Sequence, residues 1–273
     1  MKIFRLVKRL LWKLGFLIRA DAPFWAIKSF LMLNLTQRII IKHSDTERFY
    51  IRKREEFRFV KQKLKLDNDW FTGHIPTWLR ALDSTTLRDK DSINCLEIGS
   101  WQGLSAYFLL SELPNAHLVC VDTWVGGDEH KAWEAADEHK DGANSVADVV
   151  ASVESTFDAN LSEFKDRMVK YKGTSISYYD KNFESGAYDL IYVDGSHHSD
   201  DVVVDAFKCF EMLNIDGLLI FDDYFWNHYA RAIENPAGAI NTFLRLKRHQ
   251  LEIVCFDYQV VVRKISKSVR WME

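Results

Sequence analysis

Residues 67–273 alternate short apolar runs with helical stretches, and this alternation limits the fold more than any other feature of the sequence. The runs that read as strands are 93–98, 117–121, 168–171, 188–193, 217–221, 251–256 and 260–263. Helices are predicted at 76–82, 103–112, 145–163, 199–213 and 237–249. The pattern predicts an α/β fold with a doubly wound, mainly parallel seven-stranded sheet covered on both faces. The last two strands follow one another closely, so we expect the final strand to be antiparallel.

A basic helical extension, residues 1–66, precedes this domain of residues 67–273. Residues 1–65 hold 17 Lys and Arg against 5 Asp and Glu, whereas residues 66–273 hold 19 against 34. Apolar residues recur at helical spacing over 3–18, a second apolar segment covers 24–41, and a third helix is predicted from Ser44 to about Lys65. Lys28, Gln37 and Arg38 make the second segment a poor membrane-spanning helix.

Two interpretations of the extension stay open. Its helices pack on the body or on a second subunit, which would make a homo-oligomer, or residues 1–42 lie on an anionic membrane surface. No base-reading module is recognisable, so nucleic acid is the weaker candidate partner. The four cysteines, each alone among apolar neighbours, indicate reduced core residues. The expected location is the cytoplasm, with the inner face of the membrane as the alternative.

The first predicted strand runs into a turn with the pattern E-x-G-x-x-x-G. Glu97, Gly99 and Gly103 form the pattern, with Ser100 between them. Gly99 allows a tight turn with close ligand approach, and Gly103 lets the next helix begin against the strand. The second strand ends at Asp122, whose carboxylate can accept both hydroxyls of a ribose. Two ordinary strand-end turns remain the alternative explanation.

Across residues 68–266 the sequence resembles the class I S-adenosylmethionine-dependent methyltransferases, in the bacterial branch that carries sugar and antibiotic O-methyltransferases. The matching segments are DWFTGHIPTW, CLEIGSWQGLSA, VDTWVGG, KGTS, YDLIYVDGSHHSDDVVVDA and LLIFDDYFW. The resemblance implies a Rossmann-like sheet in the order 3-2-1-4-5-7-6, with S-adenosylmethionine bound over the first two strands. The cofactor-binding candidates are Glu97, Gly99, Ser100, Gly103, Asp122, Thr123, Trp124, Ser175 and Asp194. Trp124 stacks near the adenine or is a core residue, and Ser175 sits in a strand-end loop.

Three acidic residues follow the fourth and fifth predicted strands. Asp194 ends the fourth strand, and Asp222 and Asp223 end the fifth. Close carboxylates repel unless they are protonated or neutralised by a cation, and oxygen ligands suit Mg²⁺ or Mn²⁺. The segment LLIFDDYFWN also resembles the metal-holding strand of catechol and caffeoyl-CoA O-methyltransferases. Helix capping by one or two of these acids is the alternative.

His197 lies three residues after Asp194, at the offset where the catechol enzymes carry a lysine base. Its ordinary pKa of about 6.5 suits a general base at neutral pH, and Asp194 is the second catalytic candidate. A metal-ligating or Asp194-orienting histidine and a structural histidine are the alternatives.

The sequence therefore predicts a metal-assisted O-methyltransferase that acts on a hydroxyl of a sugar, glycan or secondary metabolite. A hydroxylase of the same fold is one alternative. A non-catalytic, membrane-associated protein that binds S-adenosylmethionine is the other.

Overall fold

The computed structural model describes residues 2–36, 44–127 and 146–266. Its strands are β1 (Ile93–Ile98), β2 (Ala116–Asp122), β3 (Met168–Lys172), β4 (Tyr188–Val193), β5 (Leu213–Phe221), β6 (Leu251–Phe256) and β7 (Val260–Lys264). Its α-helices are α1 (Lys2–Arg19), α2 (Phe24–Thr36), α3 (Asp45–Val60), α4 (Ile75–Leu82), α5 (Leu104–Glu112), α6 (Val146–Asn160), α7 (Ser175–Asn182), α8 (Ser199–Met212) and α9 (Pro236–Lys247).

The strands form one seven-stranded sheet in the order β3-β2-β1-β4-β5-β7-β6. Neighbouring strands are parallel in the pairs β1–β2, β2–β3 and β4–β5, whereas β7 runs antiparallel to both β5 and β6. Every residue of β4 is buried, as expected for a strand covered on both faces. The predicted fold class, strand order and antiparallel final strand are confirmed.

Two differences from the predicted elements have local causes. The fifth strand begins at Leu213 rather than Gly217, because α8 runs into it without an intervening loop. The helix α7 occupies a segment that we expected to be a strand-end loop. It begins after Thr174, whose side-chain oxygen accepts a hydrogen bond from the Ser177 amide at 3.1 Å and so caps the first turn.

Contacts divide the chain into two compact units. The terminal unit comprises Met1–Ser44 and Ser185–Glu273, and the middle unit comprises Asp45–Glu184. The helices α1 and α2 therefore belong to one unit and α3 to the other. Residues 37–43, the end of the second apolar segment, lie outside the described residues.

The terminal unit buries an aromatic core between α8, α9 and β5. Phe243 on α9 lies 5.3 Å from the ring centroids of both Phe210 and Phe221. The helices α1 and α2 add a second layer, in which Phe16 lies 5.1 Å from Phe225 and Phe30 lies 5.5 Å from Phe256. One face of each helix is thus part of this core.

The middle unit packs α4 and α5 around a second aromatic cluster. Phe71 lies 5.0 Å from Trp78 and 5.4 Å from Phe108. The helix α3 joins them through Glu47, whose carboxylate accepts a hydrogen bond of 2.9 Å from Arg80 on α4. Within the described residues, no helix is both long and apolar enough to cross a bilayer.

Candidate active site

The turn after β1 adopts backbone conformations that favour glycine. Gly99 and Gly103 have φ angles of 86° and 83°, and Trp101 between them has 44°. A Cβ atom on Gly103 would lie 2.3 Å from Cδ2 of Leu161, so a side chain at that position would displace Leu161 in addition to straining the backbone. The predicted glycine turn is therefore a tight loop that leads directly into α5.

Asp122 organises this turn through its carboxylate. Its Oδ2 accepts hydrogen bonds of 2.8 Å from the backbone amides of Ser100 and Trp101, and its Oδ1 accepts one of 2.7 Å from the amide of Trp124. A carboxylate has about four acceptor positions, so one remains on Oδ1 for a ligand hydroxyl. Asp122 thus joins the loops after β1 and β2, and in this arrangement it has room to accept one ligand hydroxyl rather than the two predicted from the sequence.

Glu97 lies in the interior of the middle unit beneath the turn. Its Oε1 accepts a hydrogen bond of 2.5 Å from the Ser105 hydroxyl, and its Oε2 lies 3.7 Å from the Cys120 thiol. Burial raises the pKa of Glu97 to about 7, against the opposing effect of hydrogen bonds from Ser100, Ser105 and Cys120. The side chain is placed to support the turn from below.

The remaining predicted cofactor residues of the middle unit occupy different environments. Trp124 is a core residue, with its indole N–H donating to the Trp101 carbonyl at 2.9 Å and its ring 4.9 Å from Phe157. Thr123 is partly exposed between Asp122 and Trp124. Ser175 is the first residue of α7 rather than a loop residue, and it is also partly exposed.

Trp101 was not among the residues predicted for the site. It stands in the glycine turn, partly exposed, with its ring centroid 6.2 Å from that of the half-exposed Trp70. An aromatic residue within the E-x-G-x-x-x-G pattern was the signal available in the sequence. The pair offers flat apolar surface beside the turn, which a planar ligand group could contact.

In the terminal unit, Asp194, His197 and Asp223 converge. One ligand-capable atom from each residue lies within 4.8 Å of those of the other two. His197 Nε2 is 2.6 Å from Asp223 Oδ2. Asp223 itself has a φ angle of 57°, a left-handed conformation that aspartate adopts more readily than most residues. We name these three residues the acid–imidazole cluster.

Asp222 faces a different set of groups from the one predicted. Its Oδ2 bonds the Tyr192 hydroxyl and accepts a hydrogen bond of 2.8 Å from Gln259, while its Oδ1 accepts the Asp223 amide at 2.7 Å. The Tyr192 hydroxyl also lies 2.8 Å from Asp194 Oδ2. Asp222 therefore supports Asp194 and Asp223 from behind, and Tyr192 and Gln259 are supporting residues that the sequence alone did not indicate.

The electrostatics of the cluster favour a bound proton or cation. Burial raises the pKa of Asp194 well above its ordinary value, and the negative charges of Asp222 and Asp223 raise it further, while His197 and the Tyr192 hydroxyl oppose these effects. A single hydroxyl between two carboxylates can donate to only one of them. Two ionised acids in this arrangement would be unfavourable unless a positive charge joined them.

The imidazole of His197 is held by an aromatic neighbour. Its ring stacks on Trp226 with centroids 4.6 Å apart and an interplanar angle of 7°. Trp226 in turn contacts Tyr229 and His228, each with ring centroids 4.9 Å away. This aromatic group, which follows the acids by a few residues, fixes the orientation of the imidazole and lines one side of the cluster, with the His228 and Tyr229 rings tilted by 58° and 61° against Trp226.

The sequence matches a family model described as a methyltransferase domain over residues 96–224. This range includes the glycine turn, Asp122 and the acid–imidazole cluster. No curated protein matches the sequence.

Solved structures with a similar fold share little sequence with this chain. A Corynebacterium glutamicum protein from a structural genomics consortium is 15% identical, with a TM-score of 0.49, and the match covers 88% of this chain and 99% of that one. TomG of Streptomyces achromogenes, an O-methyltransferase involved in tomaymycin synthesis and solved with S-adenosylmethionine, is 12% identical, with a TM-score of 0.48 and coverage of 86% and 96%. The methyltransferase MycE of the mycinamycin pathway, solved with magnesium, S-adenosylhomocysteine and mycinamycin VI, is 15% identical, with a TM-score of 0.49 and coverage of 72% and 50%.

Proposed function

We propose that this protein, whose residues 96–224 match a family model described as a methyltransferase domain, is an S-adenosylmethionine-dependent enzyme that transfers the methyl group to a hydroxyl oxygen of a sugar, glycan or secondary metabolite with the help of a divalent cation. The observation that carries the proposal is the acid–imidazole cluster, which lies within the same domain. A methyltransferase that only bound its donor would have no need to hold these carboxylates close together.

The residues of the cluster fit a hard cation such as Mg²⁺ or Mn²⁺. Asp194 and Asp223 offer carboxylate oxygens, and His197 offers a nitrogen, all within 4.8 Å of one another. The charge repulsion that raises the pKa of Asp194 is the feature that a cation relieves. Asp222, engaged with Tyr192 and Gln259, would orient the ligands rather than complete the set.

The chain's residues would divide the chemical work. The glycine turn and Asp122 bind the donor, with the remaining lone pair of Asp122 Oδ1 accepting a ribose hydroxyl. Asp194, His197 and Asp223 hold the acceptor oxygen in position. When bound, S-adenosylmethionine supplies the methyl group, and a cation makes the acceptor hydroxyl more acidic. Transfer would proceed by in-line displacement: the oxygen–carbon bond would form as the sulfonium–carbon bond breaks, S-adenosylhomocysteine would leave, and the hydroxyl proton would pass to His197 or to solvent. The positioning of the two reacting atoms is then the main contribution of the protein.

His197 has two candidate roles: a cation ligand or orienting residue, and a general base. Its Nε2 faces Asp223 at 2.6 Å, and its ring is fixed by the stack on Trp226. A histidine–carboxylate contact orients the ring for either role; the ligand is our first assignment because the ligand-capable atoms of all three cluster residues lie within 4.8 Å of one another. The base predicted from the sequence is the competing assignment, and the experiment below separates the two.

The class of methyl acceptor is inferred from the aromatic residues beside the acid–imidazole cluster. An aromatic surface lies next to His197, made of Trp226 with the rings of His228 and Tyr229 tilted against it by 58° and 61°. A sugar ring packs its C–H face on such surfaces, and an aromatic or polyketide ring stacks on them. The sugar is our first choice, and the ring system of a secondary metabolite is the second.

The decisive experiment measures cation binding and donor binding separately. Calorimetry with Mn²⁺ should show binding to the wild type and at least tenfold weaker binding to Asp223→Asn, because a carboxylate ligand is lost. The matched control Asp200→Asn removes a 90% exposed carboxylate three residues beyond His197 and should bind Mn²⁺ like the wild type. S-adenosylhomocysteine should bind the wild type and both of these variants.

Activity then distinguishes the alternatives. Transfer of labelled methyl to a panel of sugar and phenolic hydroxyls should stop in chelator and return with Mg²⁺. His197→Gln should lose Mn²⁺ affinity if the histidine is a ligand. If it retains Mn²⁺ affinity but loses transfer by about 10²–10⁴-fold, with partial recovery at high pH, the histidine is the base. Donor binding without transfer to any acceptor would favour the non-catalytic alternative, and full activity in chelator would refute the cation.

A further inference from the structure

The helices α1 and α2 leave an apolar surface uncovered on the side opposite their packed face. On α1, Val7, Leu11 and Ile18 follow one another at offsets of four and seven residues and so share one side of the helix. On α2, Phe24, Met32 and Leu35 follow one another at offsets of eight and three residues and likewise share one side of the helix. All six side chains are exposed, Phe24 by 82% and Ile18 by 68%. We call these six residues the outer face.

The helices that carry the outer face are packed on the terminal unit. The packed sides of the two helices are fixed to the terminal unit by Phe16, Phe30 and an ion pair between Lys13 and Asp257. Asn34 donates hydrogen bonds of 2.9 Å to the carbonyls of Phe256 and Phe30. Packing on the body therefore accounts for one side of each helix and leaves the other side unexplained.

The corner between the helices is fixed as well. Ala20 accepts a hydrogen bond of 2.8 Å from Asn241, and Arg245 pairs with Asp21 at 2.9 Å. Asp21 has a φ angle of 53°, the left-handed conformation that ends α1 before α2 begins. The corner between α1 and α2 is thus fixed to α9, while α2 itself packs on β6 through Phe30 and Asn34.

Positive charge borders the outer face. Lys8 and Arg19 lie one position after Val7 and Ile18, with the half-exposed Trp12 between them on the same row, and Lys28 lies between Phe24 and Met32 on α2. Residues 1–36 hold seven Lys and Arg, and Asp21 is their one acidic residue. An apolar stripe with basic and tryptophan edges is typical of helices that lie in the headgroup region of a bilayer.

We propose that the outer face docks the protein on an anionic lipid bilayer, with α1 and α2 lying in the plane of the headgroups. The charge balance selects this occupant, because lysine and arginine around an apolar surface match acidic lipids and repel basic partners. Neither helix is long and apolar enough to cross the bilayer, so the contact is interfacial. The proposal does not depend on the cation or on the acceptor of the methyl group.

The helix α1 also contacts the segment that directly follows the acid–imidazole cluster in the sequence. The inner side of α1 packs Phe16 against Phe225 and Tyr224, the two residues that directly follow Asp223. Trp12, at the edge of the outer face, also lies 5.8 Å from Phe225. The same helix therefore contacts both the proposed lipid surface and the segment that carries the acids.

Vesicle flotation tests the docking with the full-length protein. Vesicles of phosphatidylcholine alone are compared with vesicles containing equal parts of phosphatidylcholine and phosphatidylglycerol. We expect binding to the anionic vesicles, release by high salt, and little binding to the neutral ones. Leu11→Ser with Ile18→Ser on α1, and Phe24→Ser with Met32→Ser on α2, should each weaken binding by about tenfold or more, because buried apolar side chains drive insertion.

Two further variants keep the result interpretable. Ile233→Ser with Leu246→Ser removes apolar side chains of the same unit that are 73% and 65% exposed but lie off the outer face, and should bind vesicles like the wild type. Lys8→Gln with Arg19→Gln leaves the apolar residues intact and should weaken binding by roughly twenty-five-fold, at about fivefold for each basic residue. If a serine variant fails to fold, this charge variant still tests whether the outer face binds anionic lipid.

Calorimetry with S-adenosylhomocysteine separates this proposal from the proposed function. Unchanged donor affinity in all variants with lost vesicle binding supports a docking surface distinct from the catalytic machinery. Wild-type protein that ignores anionic vesicles overturns the proposal, and so does equal binding by the outer-face variants. A sedimentation experiment that finds a wild-type dimer, converted to a monomer by the serine variants, would instead assign the face to a second copy of the chain.

Discussion

Replacing Glu97 with glutamine isolates the free energy of burying a carboxyl group beneath the turn after β1. The side chain is almost wholly inaccessible, and burial raises its pKa from 4.5 to about 7. Glutamine has nearly the same shape and can still accept the Ser105 hydrogen bond at its carbonyl oxygen. The substitution therefore removes the titration and leaves most of the packing.

The sign follows from the protons bound in each state. Between pH 4.5 and 7 the unfolded chain has already lost the Glu97 proton while the folded chain retains it, so the stability contributed by this group falls as pH rises through the folded pKa. One pKa unit corresponds to about 1.4 kcal/mol, so a shift of this size corresponds to about 3 kcal/mol. Glu97→Gln should therefore gain about 3 kcal/mol relative to the wild type between about pH 4 and pH 8.

Urea unfolding at a series of pH values measures this difference. Other groups titrate in the same window, but they are common to both proteins and cancel in the comparison. Glu184→Gln, which changes an exposed carboxylate of the same unit, is the control and should show a flat difference. A flat difference for Glu97→Gln as well would refute the reasoning, because it would mean that the buried carboxyl has the same proton affinity in both states.

Three further results are expected. Gly103→Ala should lower the free energy of unfolding by about 2–4 kcal/mol, because its Cβ would meet Leu161 at a positive φ, whereas Gly73→Ala, where a Cβ meets nothing within 4 Å, should change it by less than about 1 kcal/mol in urea unfolding. Phe30→Ala should cost about 3–5 kcal/mol in the same assay, and Met32→Ala on the exposed side of α2 less than about 0.5 kcal/mol; equal effects would contradict the observed packing. Asp122→Asn should weaken S-adenosylhomocysteine binding by about 1.5–3 kcal/mol in calorimetry, and unchanged affinity would remove this residue from the donor site.

The sheet was predictable from the sequence because its signal is local. The run 188–193 is mostly apolar and wholly buried, as expected for a strand covered on both faces. The glycines of the turn after β1 have positive φ angles, which glycine adopts more readily than other residues. The helix α7 was missed because its sequence, SISYYDKN, is mostly polar and short. Its cap, Thr174, was the one local indication.

The partners of the site residues could not be predicted in the same way. Tyr192 reaches Asp222 across neighbouring strands, and Gln259 reaches it from the segment before β7. Such contacts depend on strand register and side-chain direction, which no spacing in the sequence specifies. The burial of Trp124 likewise depends on Phe157, a residue that comes from a separate helix.

The assembly of the terminal unit has a consequence for the order of synthesis on the ribosome. Asn34 bonds the carbonyl of Phe256, 222 residues later in the chain, and Lys13 pairs with Asp257. The inner sides of α1 and α2 thus emerge long before their partners are made, and closing so long a loop is slow. Until β6 is translated, both sides of these helices are available to chaperones, to aggregation or to a nearby bilayer. In a nascent chain, α1 and α2 are therefore expected to associate non-specifically more readily than they do in the finished molecule.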